Sequence, residues 1–173
     1  MITYEVKGLD ALIKKVSPEI LKQPMRDFFN QATIVIQNRA RTNAPVDTGT
    51  LRNSIQQQVD PSDLPMWGKT GLLGASEGSH LWVYGRAMEY GTGRVGDPAV
   101  SHLGEHFPPG AALETWAGRH GFASGWQVAA AIAKRGGLLP RKFLRNALAD
   151  SISDIKRFID ELGVNIKGRW DGK

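Results

Sequence analysis

Residues 44–55 read A-P-V-D-T-G-T-L-R-N-S-I, and the fold turns on what this stretch joins. Upstream, Met25, Phe28, Phe29, Ala32, Ile36 and Ala40 recur at three- and four-residue steps, which predicts an amphipathic helix from about Pro24 to Thr42. Downstream, Ile55, Gln57 and Val59 alternate with polar partners, as on a half-buried strand. The stretch must therefore convert helix into strand. Pro45 stops the helix, because the residue before a proline resists helical angles. Asp47 is expected to cap a short turn by accepting amide hydrogens from two or three residues on. Gly49 lets the backbone reverse without Cβ strain. Leu51 then returns the chain to the core, and Arg52 projects outward, available to a carboxylate.

The flanking chain has the same punctuation. Gly8-Leu9-Asp10 opens a short helix, with Asp10 as its cap and Leu12 and Ile13 inward, ending near Ser17-Pro18. Asp60-Pro61-Ser62-Asp63 is a turn. Leu72–Ala75 and Leu81–Tyr84 are short apolar runs expected to be two further strands, parted by Ser76-Glu77-Gly78-Ser79. Residues 91–110, rich in Gly, Pro and His, are expected to form an irregular loop.

Two shorter helices follow. In the first, Leu113, Trp116, Ala117 and His120 share a face and Gly121 ends it. In the second, Ser124 and Gln127 form a capping box, and Gly136-Gly137 terminates it. A last helix is expected from about Pro140 to Leu162, with Leu144, Leu148, Ile152, Ile155, Ile159 and Leu162 inward and Gly163 closing it. The expectation is one α+β domain over 1–163: a long N-terminal amphipathic helix packed on a small antiparallel sheet, a loop and two-helix insertion at 94–137, and a long C-terminal helix. Residues 164–173 are expected to be a polar, frayed tail.

Bulk properties narrow the function. With 173 residues, 41% of them hydrophobic, the chain is long enough for one domain with a real core. The absence of cysteine removes disulfides, thiolate zinc sites and cysteine nucleophiles. The opening M-I-T-Y-E-V-K has neither the basic nor the apolar region of a signal peptide, and no uncharged apolar run approaches the ~20 residues of a membrane span. A soluble protein made in the cytosol is expected. Net charge is +5, and residues 122–173, with 10 basic and 5 acidic groups, hold the whole excess. Such a bias can serve a nucleic-acid-binding module without enzymatic activity, or simply a solvated helix face.

Two enzyme-like patterns do not meet their structural requirements. Gly91-Thr92-Gly93-Arg94-Val95-Gly96 spells G-x-G-x-x-G, yet the following Asp97-Pro98 carries no helical period to receive a pyrophosphate. His102-Leu103-Gly104-Glu105-His106 spells H-x-x-E-H, which binds zinc only on a helix. Here Pro98 precedes it, Pro108-Pro109 follow and Gly104 sits at its centre. No serine elbow, P-loop or kinase signature is present. No catalytic residue, cofactor or metal is expected.

Four segments, taken in order, resemble the tail-completion, or head–tail joining, proteins of long-tailed bacteriophages. They are Gly8-Leu9-Asp10-Ala11-Leu12, the A-P-V-D-T-G-T-L-R-N-S-I stretch, Met88-Glu89-Tyr90-Gly91-Thr92, and Leu139-Pro140-Arg141-Lys142-Phe143-Leu144-Arg145-Asn146-Ala147-Leu148. The chain departs from the family at the insertion 94–137, longer than its minimal form, and at Lys142, where proline is more usual.

The resemblance implies a non-enzymatic virion protein, assembled in the host cytoplasm. Its copies would form a ring, expected to be sixfold, at the head-proximal end of the tail. Its neighbours would be other neck and tail proteins: a head-completion or stopper protein, a tail terminator and the tail tube. Genomic DNA would pass through the lumen, and no membrane is involved. Motif residues carried over are Pro45, Asp47, Thr48, Gly49, Arg52, Glu89, Gly91, Thr92, Pro140, Phe143 and Leu144. Trp67, Trp82, Trp116 and Trp126 are candidate interface anchors, and Glu89 with Arg52 is a candidate ion pair near the joint.

Overall fold

The computed structural model describes residues 18–60, 62, 66–100 and 107–172. The expected first helix at 8–17, the turn residues Pro61 and Asp63, and the pattern at 102–106 lie outside them. In chain order the elements are α1 (Pro18–Asn43), a single turn α2 (Thr50–Asn53), β1 (Gln56–Val59), β2 (Gly68–Gly71) and α3 (His80–Tyr90). A 3-10 turn (Gly93–Val95), α4 (Gly110–Arg119), α5 (Gly125–Arg135), α6 (Phe143–Asp150) and α7 (Ile152–Trp170) complete them. The layout is α+β.

Helix α1 is the spine: it packs on β1 and β2, on α6 and on α7. The two strands pair antiparallel, Gln56 opposite Gly71 and Val59 opposite Gly68. Thr33 ties helix to sheet, its hydroxyl bonding the Phe29 carbonyl at 2.7 Å and the Gln57 side chain at 3.0 Å. The principal core lies where α1, the joint and α6 meet: Ala40, Ala44, Leu51, Ile55, Phe143 and Ala147 are buried together, flanked by Leu72, Leu81, Tyr84 and Met88.

The joint at 44–55 is built as expected in most respects. The helix ends at Asn43, Gly49 adopts a left-handed φ of 81°, Leu51 is buried and Arg52 is exposed. The expected Asp47 cap is not formed, however: Gly49 stands at the N-cap with no side-chain cap bond. Thr48 supplies its hydroxyl to the Thr50 amide (3.4 Å) and the Thr50 hydroxyl (2.8 Å), while the Asp47 carboxylate is engaged elsewhere. From α1, Gln37 and Arg41 both donate to the carbonyl of the fully buried Ile55, at 2.9 Å from Gln37 Nε2 and 2.8 Å from Arg41 Nη2. Those donors, one helical turn apart, hold the entry to β1 against the helix.

Three expectations on the elements are overturned. Residues 81–84 are helical, inside α3, and the second strand is Gly68–Gly71, not 72–75. Ser79 caps α3 by accepting from the Trp82 amide at 3.3 Å, which commits the run to helix, and Leu81, Tyr84 and Met88 then line the core at helical spacing. Second, α1 starts at Pro18 rather than Pro24, and α7 runs through Gly163 to Trp170 with no frayed tail from Val164. These extensions lie side by side: Pro24 and Asp27 share an open cleft of about 400 Å³ with Val164, Asn165, Gly168 and Arg169. Helix continues through both the buried Pro24 and the exposed Gly163.

Third, the last helix divides at Ser151, a buried residue whose hydroxyl donates to the Ala147 carbonyl at 2.7 Å. The face that meets α1 carries Phe143, Ala147, Ser151 and Phe158. Leu148, Ile152 and Ile159, expected inward, are about half exposed. The insertion contains the two helices foreseen. Gly121 closes α4, with the Phe122 amide donating to the Ala117 carbonyl at 2.9 Å. Ser124 caps α5 by accepting from the Gln127 amide, while the Gln127 side chain reaches back to the amide of Ala123.

Candidate functional site

Glu89 ends the last full turn of α3 and is 1% exposed, the largest buried charge among the described residues. Its carboxylate faces the first turn of α6. It accepts from the amides of Leu144 (2.8 Å) and Arg145 (3.1 Å) and from Arg145 Nε (3.2 Å). The first amides of a helix have no intrahelical partner and carry partial positive charge, so a carboxylate placed there is stabilised twice over. Arg145 also reaches Asp97. The Ala99 amide first, then Arg145, holds the Asp97 carboxyl below its ordinary range, and Asp97 with Glu89 in turn keeps the guanidinium firmly charged. The expected Glu89–Arg52 pair is not formed: Glu89 pairs with Arg145.

The backbone around Glu89 is stitched to the same segment. The amides of Arg141 and Lys142 donate to the carbonyls of Met88 (2.7 Å) and Glu89 (3.2 Å). Thr92 bonds Leu138 through its amide (2.9 Å) and through its hydroxyl (3.0 Å). Gly91, at φ 71°, sits so close that a Cβ would lie 2.4 Å from the Leu138 oxygen. Lys142 has φ 53° and its N–H donates to the Glu89 carbonyl, two things proline cannot do. Pro140, Phe143 and Leu144 follow in the same strap, Phe143 fully buried.

A second polar cluster lies at the joint. Asp47 receives Arg119, whose two nitrogens bind both carboxylate oxygens, and His120 Nε2 at 3.2 Å from Oδ1. The Arg119 hydrogen bond is the main reason that the Asp47 carboxyl is held low. His120 in turn stacks on Trp116, their ring centroids 4.2 Å apart, and Trp116 stacks on Phe122.

The aromatic candidates separate by environment. Trp67 lies under Lys69 and Trp82 under Arg86, at 4.2 and 5.2 Å, both half-buried. Trp126 is 57% exposed beside Phe107, itself 55% exposed, so it alone of the four presents a large free face. Sequence reasoning missed Arg145 as the partner of Glu89 and Asp97 as the second carboxylate on Arg145. A signal was present: a cation in the first turn of a helix opposes the helix dipole and implies a nearby carboxylate.

Both oxygens of Glu89 are taken up by donors, so the carboxylate fixes geometry. No three His, Asp or Glu side chains converge as metal ligands among the described residues, and no described helix is long and apolar enough to cross a membrane. No family model, curated protein or solved structure matches this chain.

Proposed function

We propose that this chain is a structural subunit of the neck of a long-tailed bacteriophage, forming a ring at the head-proximal end of the tail that completes the tail and joins it to the head around a passage for DNA. The observation that supports the reading is convergence. Three of the four segments that resemble the tail-completion family, far apart in sequence, meet around one core. The joint contributes Ala44, Leu51 and Ile55, the strap at 139–148 contributes Phe143 and Ala147, and Met88 packs against them. Glu89 binds the 88–92 segment to the 139–148 segment, and Thr92 bonds Leu138, the residue just before the latter. Residues that specify a shared architecture are expected to cluster in this way, whereas a catalytic motif gathers around a cavity.

A ring of identical copies needs a heterologous contact that closes by rotation, and exposed aromatics such as Trp126 suit one. A lumen that must release DNA should carry only a modest positive excess, because phosphate binding grows steeply with the number of cations engaged. A net charge of only +5, all of it from residues 122–173, fits that demand. Native mass spectrometry over a concentration series, followed by electron microscopy of the largest species, tests the proposal. The expected result is a closed ring, sixfold if the family expectation holds. A strict monomer at high concentration and within intact particles overturns it.

A further inference from the structure

Helices α4 and α5 pack chiefly on each other, and each contacts the remaining helices and strands only slightly. Their interior is their own. Ala117 and Ala129 are fully buried but stand outside the cluster that forms the principal core. The two helices cross where Gly125 meets the backbone of α4, so closely that a Cβ there would lie 2.1 Å from the Gly110 oxygen. The hairpin joins the body through a narrow root, the Arg94 amide donating to the Gly136 carbonyl at 2.8 Å beside the Thr92–Leu138 pair. Gly136 and Gly137 both have positive φ at that root.

Beyond the root, among the described residues, the hairpin and the body share an ionic contact at Asp47. Arg119 grips both carboxylate oxygens, and His120 adds a third bond while resting on Trp116. All three bonds come from the C-terminal end of α4, and they land on the corner that joins α1 to β1. We propose that the α4–α5 hairpin is a latched arm: a self-packed unit that turns as a body about its root, held closed by Asp47 acting as the catch for Arg119 and His120. The inference stands apart from the ring reading, since it concerns one chain alone.

The catch is weak by construction. The Arg119 and His120 side chains are 42% and 40% exposed, and exposed ion pairs contribute little and are screened by salt. The open arm is therefore a minor but accessible population, and local opening of this kind is read by amide exchange.

Hydrogen–deuterium exchange on the full chain supplies the test, comparing Asp47→Asn with the parent. Amides of residues 110–135 are expected to exchange roughly two- to fivefold faster in the variant, with those of α1 and α7 unchanged. Raising the salt concentration on the unaltered chain is expected to produce the same local acceleration, which keeps the test independent of how the variant folds. Hairpin exchange indifferent to both treatments overturns the proposal. So does an equal acceleration in α1 and α7, because the ion pair would then support the whole fold and latch nothing.

Discussion

Replacing Glu89 with alanine would leave two helix amides facing a void with no acceptor and would strip the Arg145 guanidinium of one of its two carboxylates. Removing one partner from a buried charged network typically costs about 3–5 kcal/mol, and that loss is expected for Glu89→Ala in urea titrations. Glu89→Gln keeps one acceptor and the shape, so a smaller loss of about 1–2 kcal/mol is expected. Equal losses for the two variants would show that packing, and not charge, matters at 89. Acid tests two half-buried carboxylates. Asp47 and Asp97 have carboxyl values depressed in the folded state, Asp47 chiefly by Arg119 and Asp97 chiefly by the Ala99 amide. The unfolded chain then binds protons more readily as pH falls. Their stabilisation is thus complete above the ordinary value of 3.8 and is lost as pH drops through the lower folded values. The stability of Asp97→Asn should therefore change less with pH below ~4 than that of the parent. Parallel acid profiles would contradict this assignment.

On helix α7 two neighbouring apolar residues, Phe158 and Ile159, fall on adjacent faces. Phe158 is 7% exposed, whereas Ile159 beside it is 51% exposed. Phe158→Ala is expected to cost about 3–5 kcal/mol through lost burial and a cavity, while Ile159→Ser stays within ~0.5 kcal/mol, as surface changes usually do. Thermal melts of the pair decide which face α1 covers; similar losses would place both residues in the core. Helix α3 has a related ambiguity. L-W-V-Y is short and apolar enough to suit a strand or a buried helix turn, and the outcome rests on the Ser79 cap and the core position of Leu81 and Tyr84.

At the scale of the whole molecule, a spine helix carries the sheet on one side and the C-terminal helices on another, and the hairpin stands off that body. On the ring reading, Trp126 at the hairpin surface is a contact point between copies or with a neighbouring neck protein. Trp126→Ala is then expected to weaken self-association at least tenfold in sedimentation velocity, the order lost with an interface anchor. Association unchanged by this variant would remove Trp126 from the interface while leaving the ring itself to the mass measurement.

The sequence alone determined what is local. The spine helix, the helix-to-strand joint with its left-handed Gly49, the capped hairpin helices and the α+β class were all legible, because each depends on residues within a few positions of one another. Tertiary structure decided the rest. Glu89 finds Arg145 across 56 residues and Asp47 finds Arg119 across 72, and no periodicity encodes which charges will meet. Whether Phe158 or Ile159 faces inward on α7 depended on where α1 lies. Burial is a property of the assembled neighbours: a chain can mark a face as apolar, but only packing determines which apolar face loses its water.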